Sequence, residues 1–93
     1  MTNFDIIHNE ETAEFFINLN GDDKAYVRYK LDESLADRIK VDFYTTFVPD
    51  EYRGKSLAGI LVNAAFAWAD ENHYEIEASC WYAELKLKKR SNG

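Results

Sequence analysis

The spacing of hydrophobic residues along the chain changes near Pro49. Before it, apolar and polar residues alternate, which is typical of β-strands. This alternation covers Glu14–Asn20, Lys24–Leu31 and Arg38–Val48, and in the last of these Ile39, Val41, Phe43, Thr45 and Phe47 share one face. A short apolar run over Phe4–His8 adds a first strand, and residues 20–23 (Asn-Gly-Asp-Asp) predict a hairpin turn. The first half therefore predicts a four-stranded antiparallel meander.

After Pro49 the period becomes helical. A broad apolar sector begins at Leu57 and is formed by Leu57, Ile60, Leu61, Ala64, Ala65 and Trp68. Residues 70–73 should end this helix, with Asn72 in a left-handed cap. Tyr74–Ser79 alternates again, and Trp81–Arg90 predicts a closing helix with Tyr82, Leu85 and Trp81 facing inward. The order β-β-β-β-α-β-α predicts an α+β fold over residues 1–93, a single domain whose last two strands are parallel neighbours.

Composition narrows the classes of function. Eleven basic and 17 acidic side chains give a net charge of −6, which argues against nucleic-acid binding. The basic group Lys86, Lys88, Lys89 and Arg90 is more typical of a solvated helix end. We expect no membrane span or secretory signal, and the single Cys80 fits a reducing, cytoplasmic setting. No residue spacing is typical of metal ligands.

The segment from Val48 to Gly59 combines a strand end, a small-residue loop and a helix start. Gly54 lets the backbone bend and lets a ligand approach closely. The first amides of a helix carry partial positive charge, which suits a phosphate, and Arg53 and Lys55 add full charges. An ordinary strand-to-helix turn with Ser56 as its cap is the competing interpretation, because small-residue loops are common.

This segment resembles the signature of the GNAT acetyltransferase superfamily, Arg/Gln-x-x-Gly-x-Gly/Ala at the start of the central helix. More narrowly, the chain is similar to small stand-alone N-acetyltransferase-domain-containing proteins. The residues that carry this resemblance are Val48-Pro49, Arg53-Gly54, Leu57-Ala58 and, after the next strand, Cys80-Trp81-Tyr82. The resemblance covers residues 25–85 and implies a minimal GNAT-like fold.

The resemblance also implies acetyl-CoA as the acetyl donor and an unidentified amine as the acceptor. The pyrophosphate of acetyl-CoA would lie on the loop and the helix start, and the pantetheine would lie along the backbone of the fourth β-strand. The implied cofactor-binding residues are Phe47, Val48, Arg53, Gly54, Lys55, Ser56, Leu57, Ala58 and Gly59.

Two side chains are candidates for catalysis. Cys80 could protonate the departing thiolate or be acetylated itself, and Tyr82 is the second candidate acid. The competing interpretations are a small buried thiol for Cys80 and an inward-facing core aromatic for Tyr82. His8, His73 and the acidic pair Asp50-Glu51 are weaker candidates.

The chain departs from the family pattern in three places. Ser56 stands where a glycine is expected, Thr45-Thr46 replaces His-Thr, and the tail after Leu87 is short and basic. These departures motivate an alternative function, a non-catalytic GNAT-like module that binds CoA or a protein. A remoter alternative is an unrelated α+β interaction domain. The sequence gives no prediction of the oligomeric state.

Overall fold

A computed structural model describes residues 5–19, 21–54 and 56–92. The predicted order of elements and the α+β class are confirmed. The strands and helices are β1 (Ile7–Asn9), β2 (Glu14–Asn18), β3 (Lys24–Asp32), β4 (Lys40–Phe47), α1 (Leu57–Glu71), β5 (Glu75–Ala78) and α2 (Trp81–Asn92). One 3-10 turn, Asp50–Tyr52, lies between β4 and α1.

The five strands form one sheet in the order β1-β2-β3-β4-β5. The first four pair antiparallel, as the alternating segments predicted. After α1 the chain returns beside β4, so that β5 pairs parallel with it. Asn20, which was predicted to begin the β2–β3 turn, lies outside the described residues, and so does the start of the predicted first strand.

A β-bulge in β4 changes which residues face the helices. Tyr29 pairs with Phe43, but Arg28 pairs with Thr45, so Tyr44 has no partner on β3. One extra residue reverses the alternation beyond it. Thr46 consequently shares the helix-covered face with Val27, while Phe47 packs on Tyr26 on the opposite face, with ring centroids 5.5 Å apart. The prediction that Thr45 and Phe47 continue the face of Val41 and Phe43 is therefore wrong.

Both helices cover the same face of the sheet, and the core lies between that face and the helices. Its fully buried large side chains are Phe43, Ile17, Leu57, Leu61, Val27, Val41 and Val62. Arg90 of α2 forms two hydrogen bonds, of 2.8 and 3.0 Å, with Asp70 near the end of α1. Since the start of α2 lies beside the start of α1, the two helices run in the same direction.

Two predictions about the helices are wrong in detail. In α2 the residue buried against the core is Ala83, whereas Trp81 is 75% exposed and Leu85 is also exposed. Tyr82 packs against the core as predicted, and so does Leu87, both of them partly buried. At the end of α1 the left-handed residue is His73 rather than Asn72. Asn72 instead binds the Trp68 carbonyl through its side-chain amide at 2.8 Å.

The face of the sheet opposite the helices carries a buried acid. Glu14 is only 3% exposed and forms ion pairs with Lys24 and Arg28, at 2.7 and 3.1 Å. Burial raises the pKa of this carboxyl, but the hydrogen bonds from the two cations lower it by more, so it stays ionised. The strand alternation predicted the outward direction of Glu14 but not its burial.

Candidate functional site

The parallel strands β4 and β5 separate partway along the sheet. Their last paired residues are Phe43 and Ala78. The next two amides of the chain, those of Ser79 and Cys80, both donate to the Phe43 carbonyl, at 3.1 and 3.2 Å. Beyond this point β5 turns into α2, and in the described part of the chain residues 45–47 of β4 have a strand neighbour only on the β3 side. A gap therefore opens beside the end of β4.

A cavity of about 530 Å³ occupies this gap. It lies against the end of β4, the loop before α1 and the start of α2, and its lining residues are Thr46, Phe47, Val48, Tyr52, Arg53, Gly54, Ser56, Leu57, Ala58, Cys80, Trp81 and Tyr82. Both predicted catalytic candidates and seven of the nine predicted cofactor-binding residues are in this set. Lys55 lies outside the described residues.

Gly59, the remaining predicted residue, is buried beside the cavity rather than in its lining. A Cβ at this position would lie 3.3 Å from the Tyr82 hydroxyl and 3.5 Å from Lys86 Nζ. The missing side chain thus leaves room for α2 to approach the first turn of α1.

Three lining residues were not predicted, Thr46, Tyr52 and Trp81. The bulge at Tyr44 turns Thr46 toward the helices, and strand alternation alone gives no sign of a bulge. Tyr52 and Trp81 stand inside the two motifs already singled out from the sequence. Position within those motifs was therefore the available signal for both residues.

Two of the described residues in the loop before α1 have a left-handed backbone. Gly54 has φ +86°, as its lack of a Cβ permits. Ser56 has φ 63°, a conformation that costs an L-residue about 1–2 kcal/mol. Its side chain makes no capping hydrogen bond to α1. The competing interpretation of Ser56 as an ordinary helix cap therefore fails on its geometry.

The start of α1 leaves backbone donors available at the cavity. Ile60 is the first residue whose amide donates within the helix, to the Ser56 carbonyl at 3.0 Å. The amides of residues 57–59 have no acceptor inside the helix and carry the positive end of its dipole. Arg53 lies nearby and is paired with Asp50 at 3.1 Å on the exposed surface. This arrangement is suited to a phosphate group.

The Cys80 thiol faces β4 across the gap. Its Sγ lies 3.6 Å from Thr46 Oγ1. Cys80 directly precedes α2, and its carbonyl accepts the bond from the Glu84 amide at 2.9 Å. Burial raises the pKa of the thiol, but hydrogen bonds from the Ala83 backbone, the Thr46 hydroxyl and the Tyr82 backbone lower it by more. The net effect is a pKa below the ordinary value, as is usual for a thiol at a helix N-terminus.

The side chains of Tyr82 and Lys86 both reach the first turn of α1, as their distances to Gly59 indicate. Tyr82 therefore lies toward the helix-start side of the cavity, whereas Cys80 lies against β4. Lys86 is half-buried and forms no ion pair with any described residue. The neighbouring cations Lys88 and Arg90 pair with Glu84 and Asp70. Among the described residues, the predicted solvated basic helix end thus places the unpaired Lys86 amine beside a positive helix terminus.

The weaker candidates lie elsewhere or are exposed. His8 stacks on Phe15 at 4.0 Å between ring centroids and hydrogen-bonds the Tyr29 hydroxyl at 2.6 Å, beneath the other end of α1. His73 is exposed in the turn after α1, and the Asp50-Glu51 pair is exposed in the loop. Within the described ranges, no group of three or more His, Cys, Asp or Glu side chains could hold a metal ion. In the same ranges, neither helix combines the length and apolarity needed to cross a membrane.

Comparison with known proteins finds similarity along most of this chain. The family model for the GCN5-related N-acetyl-transferase matches residues 14–92. Protein NATD1 of Mus musculus is 35% identical over 83 residues, covering 88% of this chain and 72% of the mouse protein. Protein NATD1 of Homo sapiens has the same identity, with 88% and 70% covered, and that of Danio rerio is 32% identical over 89 residues, with 95% and 77% covered.

Proposed function

Because this chain belongs to the GCN5-related N-acetyltransferase family, we propose that it transfers an acetyl group from acetyl-CoA to an amine. The observation that carries the proposal is the cavity between the separated ends of β4 and β5. It brings a phosphate-suited helix start and the Cys80 thiol to one space of about 530 Å³. That volume lies within the usual range of small-molecule sites.

The donor would be held by backbone and charge. Its pyrophosphate would accept hydrogen bonds from the amides at the start of α1, with Arg53 at the rim and Gly54 allowing close approach. The amides of its pantetheine arm would pair with the edge of β4 at Phe47 and Val48, as an added strand does. The bulge assists here, because it turns the Phe47 side chain to the other face of the sheet.

The transfer needs an acid at the sulfur of the thioester. A neutral amine attacks the carbonyl carbon, a new N–C bond forms, and the C–S bond breaks. The CoA thiolate takes up a proton from the acid, and the nitrogen releases one, which restores the acid. Cys80 is our first candidate for that proton donor, since its thiol lies in the gap against Thr46. Tyr82 is the second candidate, and its position over Gly59 also suits contact with the phosphate end of the donor.

A second candidate function is binding of CoA without turnover. Ser56 favours it, because its backbone is left-handed and its Cβ projects from the loop that would receive the pyrophosphate. A glycine there would remove both the strain and the crowding. Weak donor binding would leave this protein as a family member that uses the fold for recognition.

Titration calorimetry with acetyl-CoA and CoA, followed by transfer assays on a polyamine and a lysine peptide, tests the proposal. We expect binding by the wild-type protein and a loss of transfer of about a hundredfold or more in Cys80→Ala. Tyr82→Phe, which keeps the ring, is the matched variant for the second acid. Absence of acetyl-CoA binding at millimolar concentration would contradict the enzyme, and binding without transfer to any amine would favour the recognition module.

A further inference from the structure

An acidic side chain bridges the strands where they separate. Asp42 of β4 accepts two hydrogen bonds from Ser79, the first residue after β5. The Ser79 amide lies 2.9 Å from Asp42 Oδ1, and the Ser79 hydroxyl lies 2.8 Å from Oδ2. Both oxygens of the carboxylate are therefore used to hold one residue, which directly precedes Cys80.

This bridge acts together with the backbone. The Ser79 amide also donates to the Phe43 carbonyl, which accepts from the Cys80 amide as well. Asp42 and Ser79 side chains lie on the face of the sheet away from the helices, whereas the Cys80 thiol contacts Thr46 on the helix-covered side. The chain is thus held from one face while the thiol is presented on the other.

The charges around Asp42 do not account for its orientation. The charged residues that share a recess with it on this face are Lys30, Asp32, Lys40 and Glu77. Lys40 pairs with Glu77 at 3.0 Å, and in the described part of the chain neither lysine forms an ion pair with Asp42. The carboxylate is directed at Ser79 by the two hydrogen bonds.

We propose that Asp42 and Ser79 are positioning residues that fix the start of α2 so that the Cys80 thiol meets Thr46 and the first amides of that helix. The relevance of this role to acetyl transfer rests on the proposed function. The structural role itself is independent of acetyl-CoA and can be measured without it.

The measurement is the pH dependence of alkylation by iodoacetamide, which reports on Cys80 alone because the chain has one cysteine. Loss of positioning removes hydrogen bonds that favour the thiolate and raises the thiol pKa. Loss of the Asp42 charge alone would have the opposite sign, since a nearby negative charge disfavours a thiolate. For Asp42→Ala we expect a higher pKa and an alkylation rate near pH 7 reduced by about three- to tenfold.

A matched control exists at the end of β3. There Asp32 makes the same pair of contacts, accepting from both the amide and the hydroxyl of Ser34. Asp32 lines the same recess as Asp42 but holds a residue of its own loop rather than Ser79. Asp32→Ala should leave the alkylation profile of Cys80 unchanged. Ser79→Ala should shift the profile in the direction of Asp42→Ala by a smaller amount, and Ser79→Thr, which keeps the hydroxyl, should restore it.

An unchanged or lowered thiol pKa in Asp42→Ala would overturn the proposal, and so would an equal shift in Asp32→Ala. If Asp42→Ala fails to fold by circular dichroism, the comparison of Ser79→Ala with Ser79→Thr decides. A raised thiol pKa in a protein that binds no acetyl-CoA would support the positioning role and contradict the proposed function. The two proposals can therefore fail separately.

Discussion

At its C-terminal end α1 presents Trp68 to four rings of the described residues. At its N-terminal end Ala58 lines the cavity and Gly59 lies against the start of α2. The rings around Trp68 belong to His8, Phe15, Tyr29 and Tyr74, with centroids 4.8, 5.4, 4.8 and 5.2 Å away. At the other end the sheet itself is open, since β4 and β5 have already separated.

The difference indicates that the two ends of this helix have different roles. Aromatic rings in offset and edge contacts add to the stabilisation from burial alone. Small residues, a left-handed serine and a free strand edge contribute little packing, and they leave backbone groups available to a ligand. We infer that the aromatic end supplies the stability on which the open end depends.

The two tryptophans offer the largest contrast. Trp68→Ala should lower the free energy of unfolding by about 3 kcal/mol, because it leaves a cavity among four rings. Trp81→Ala should change it by about 0.5 kcal/mol or less, since Trp81 is 75% exposed. Urea unfolding followed by circular dichroism measures both variants. Equal losses would contradict the division between the two ends.

The aromatic end should also carry a dependence on pH. Burial lowers the pKa of His8, although Glu10 opposes this, so the folded protein keeps the ring neutral. The unfolded chain gains a proton near pH 6.5, and stability is therefore full above that value and falls as the pH drops below it. The melting temperature should be lower at about pH 5.5 than at about pH 7.5.

The control for this prediction is the other histidine. His8→Gln should flatten the dependence of melting temperature on pH in this range. His73→Asn should retain it, because His73 is exposed outside the ring cluster and asparagine tolerates its left-handed backbone. A slope that survives in His8→Gln would place its origin elsewhere.

The sequence predicted those features of the molecule that depend on interactions between residues close together along the chain. Alternation and helical spacing are set by neighbours along the chain, and they predicted the meander, the crossover and the broad apolar sector of α1. The motif residues Arg53-Gly54 and Cys80 likewise predicted where the cavity would lie. Each of these features is expressed within a few residues of sequence.

Features that depend on contacts between distant segments were missed. The bulge at Tyr44 lies in the pairing of β4 with β3, and it reversed the predicted face of Phe47. The exposure of Trp81 depends on which side of α2 packs on the core, and that side carries Ala83. The burial of Glu14 follows from two cations on the next strand. None of these has a local signal.

The left-handed serine sharpens the comparison at the open end. Ser56→Gly should raise the free energy of unfolding by about 0.5–1 kcal/mol, because glycine adopts φ near 63° without a Cβ penalty. Ser56→Ala should have almost no effect on stability, since the serine side chain makes no capping bond that alanine would lose. If Ser56→Gly also tightens CoA binding in calorimetry, crowding by the Cβ is real. A loss of stability in Ser56→Gly would contradict the assignment of strain.

The remaining prediction concerns the unpaired amine at the open end. A cation beside the positive end of a helix dipole is unfavourable unless an anion joins them. Lys86, half-buried near Gly59 and without an ion pair among the described residues, should therefore contact a phosphate of bound CoA. Lys86→Ala should weaken CoA binding by about three- to tenfold, which corresponds to about 0.7–1.4 kcal/mol, the usual net contribution of one hydrogen bond. Lys89→Ala removes the same charge from an exposed position of α2 and should weaken CoA binding by about twofold or less.

A smaller loss for dephospho-CoA than for CoA would assign the contact of Lys86 to the 3′-phosphate. Equal losses in the two lysine variants would instead show that the effect depends only on net charge. The open end would then bind phosphate through its backbone and Arg53.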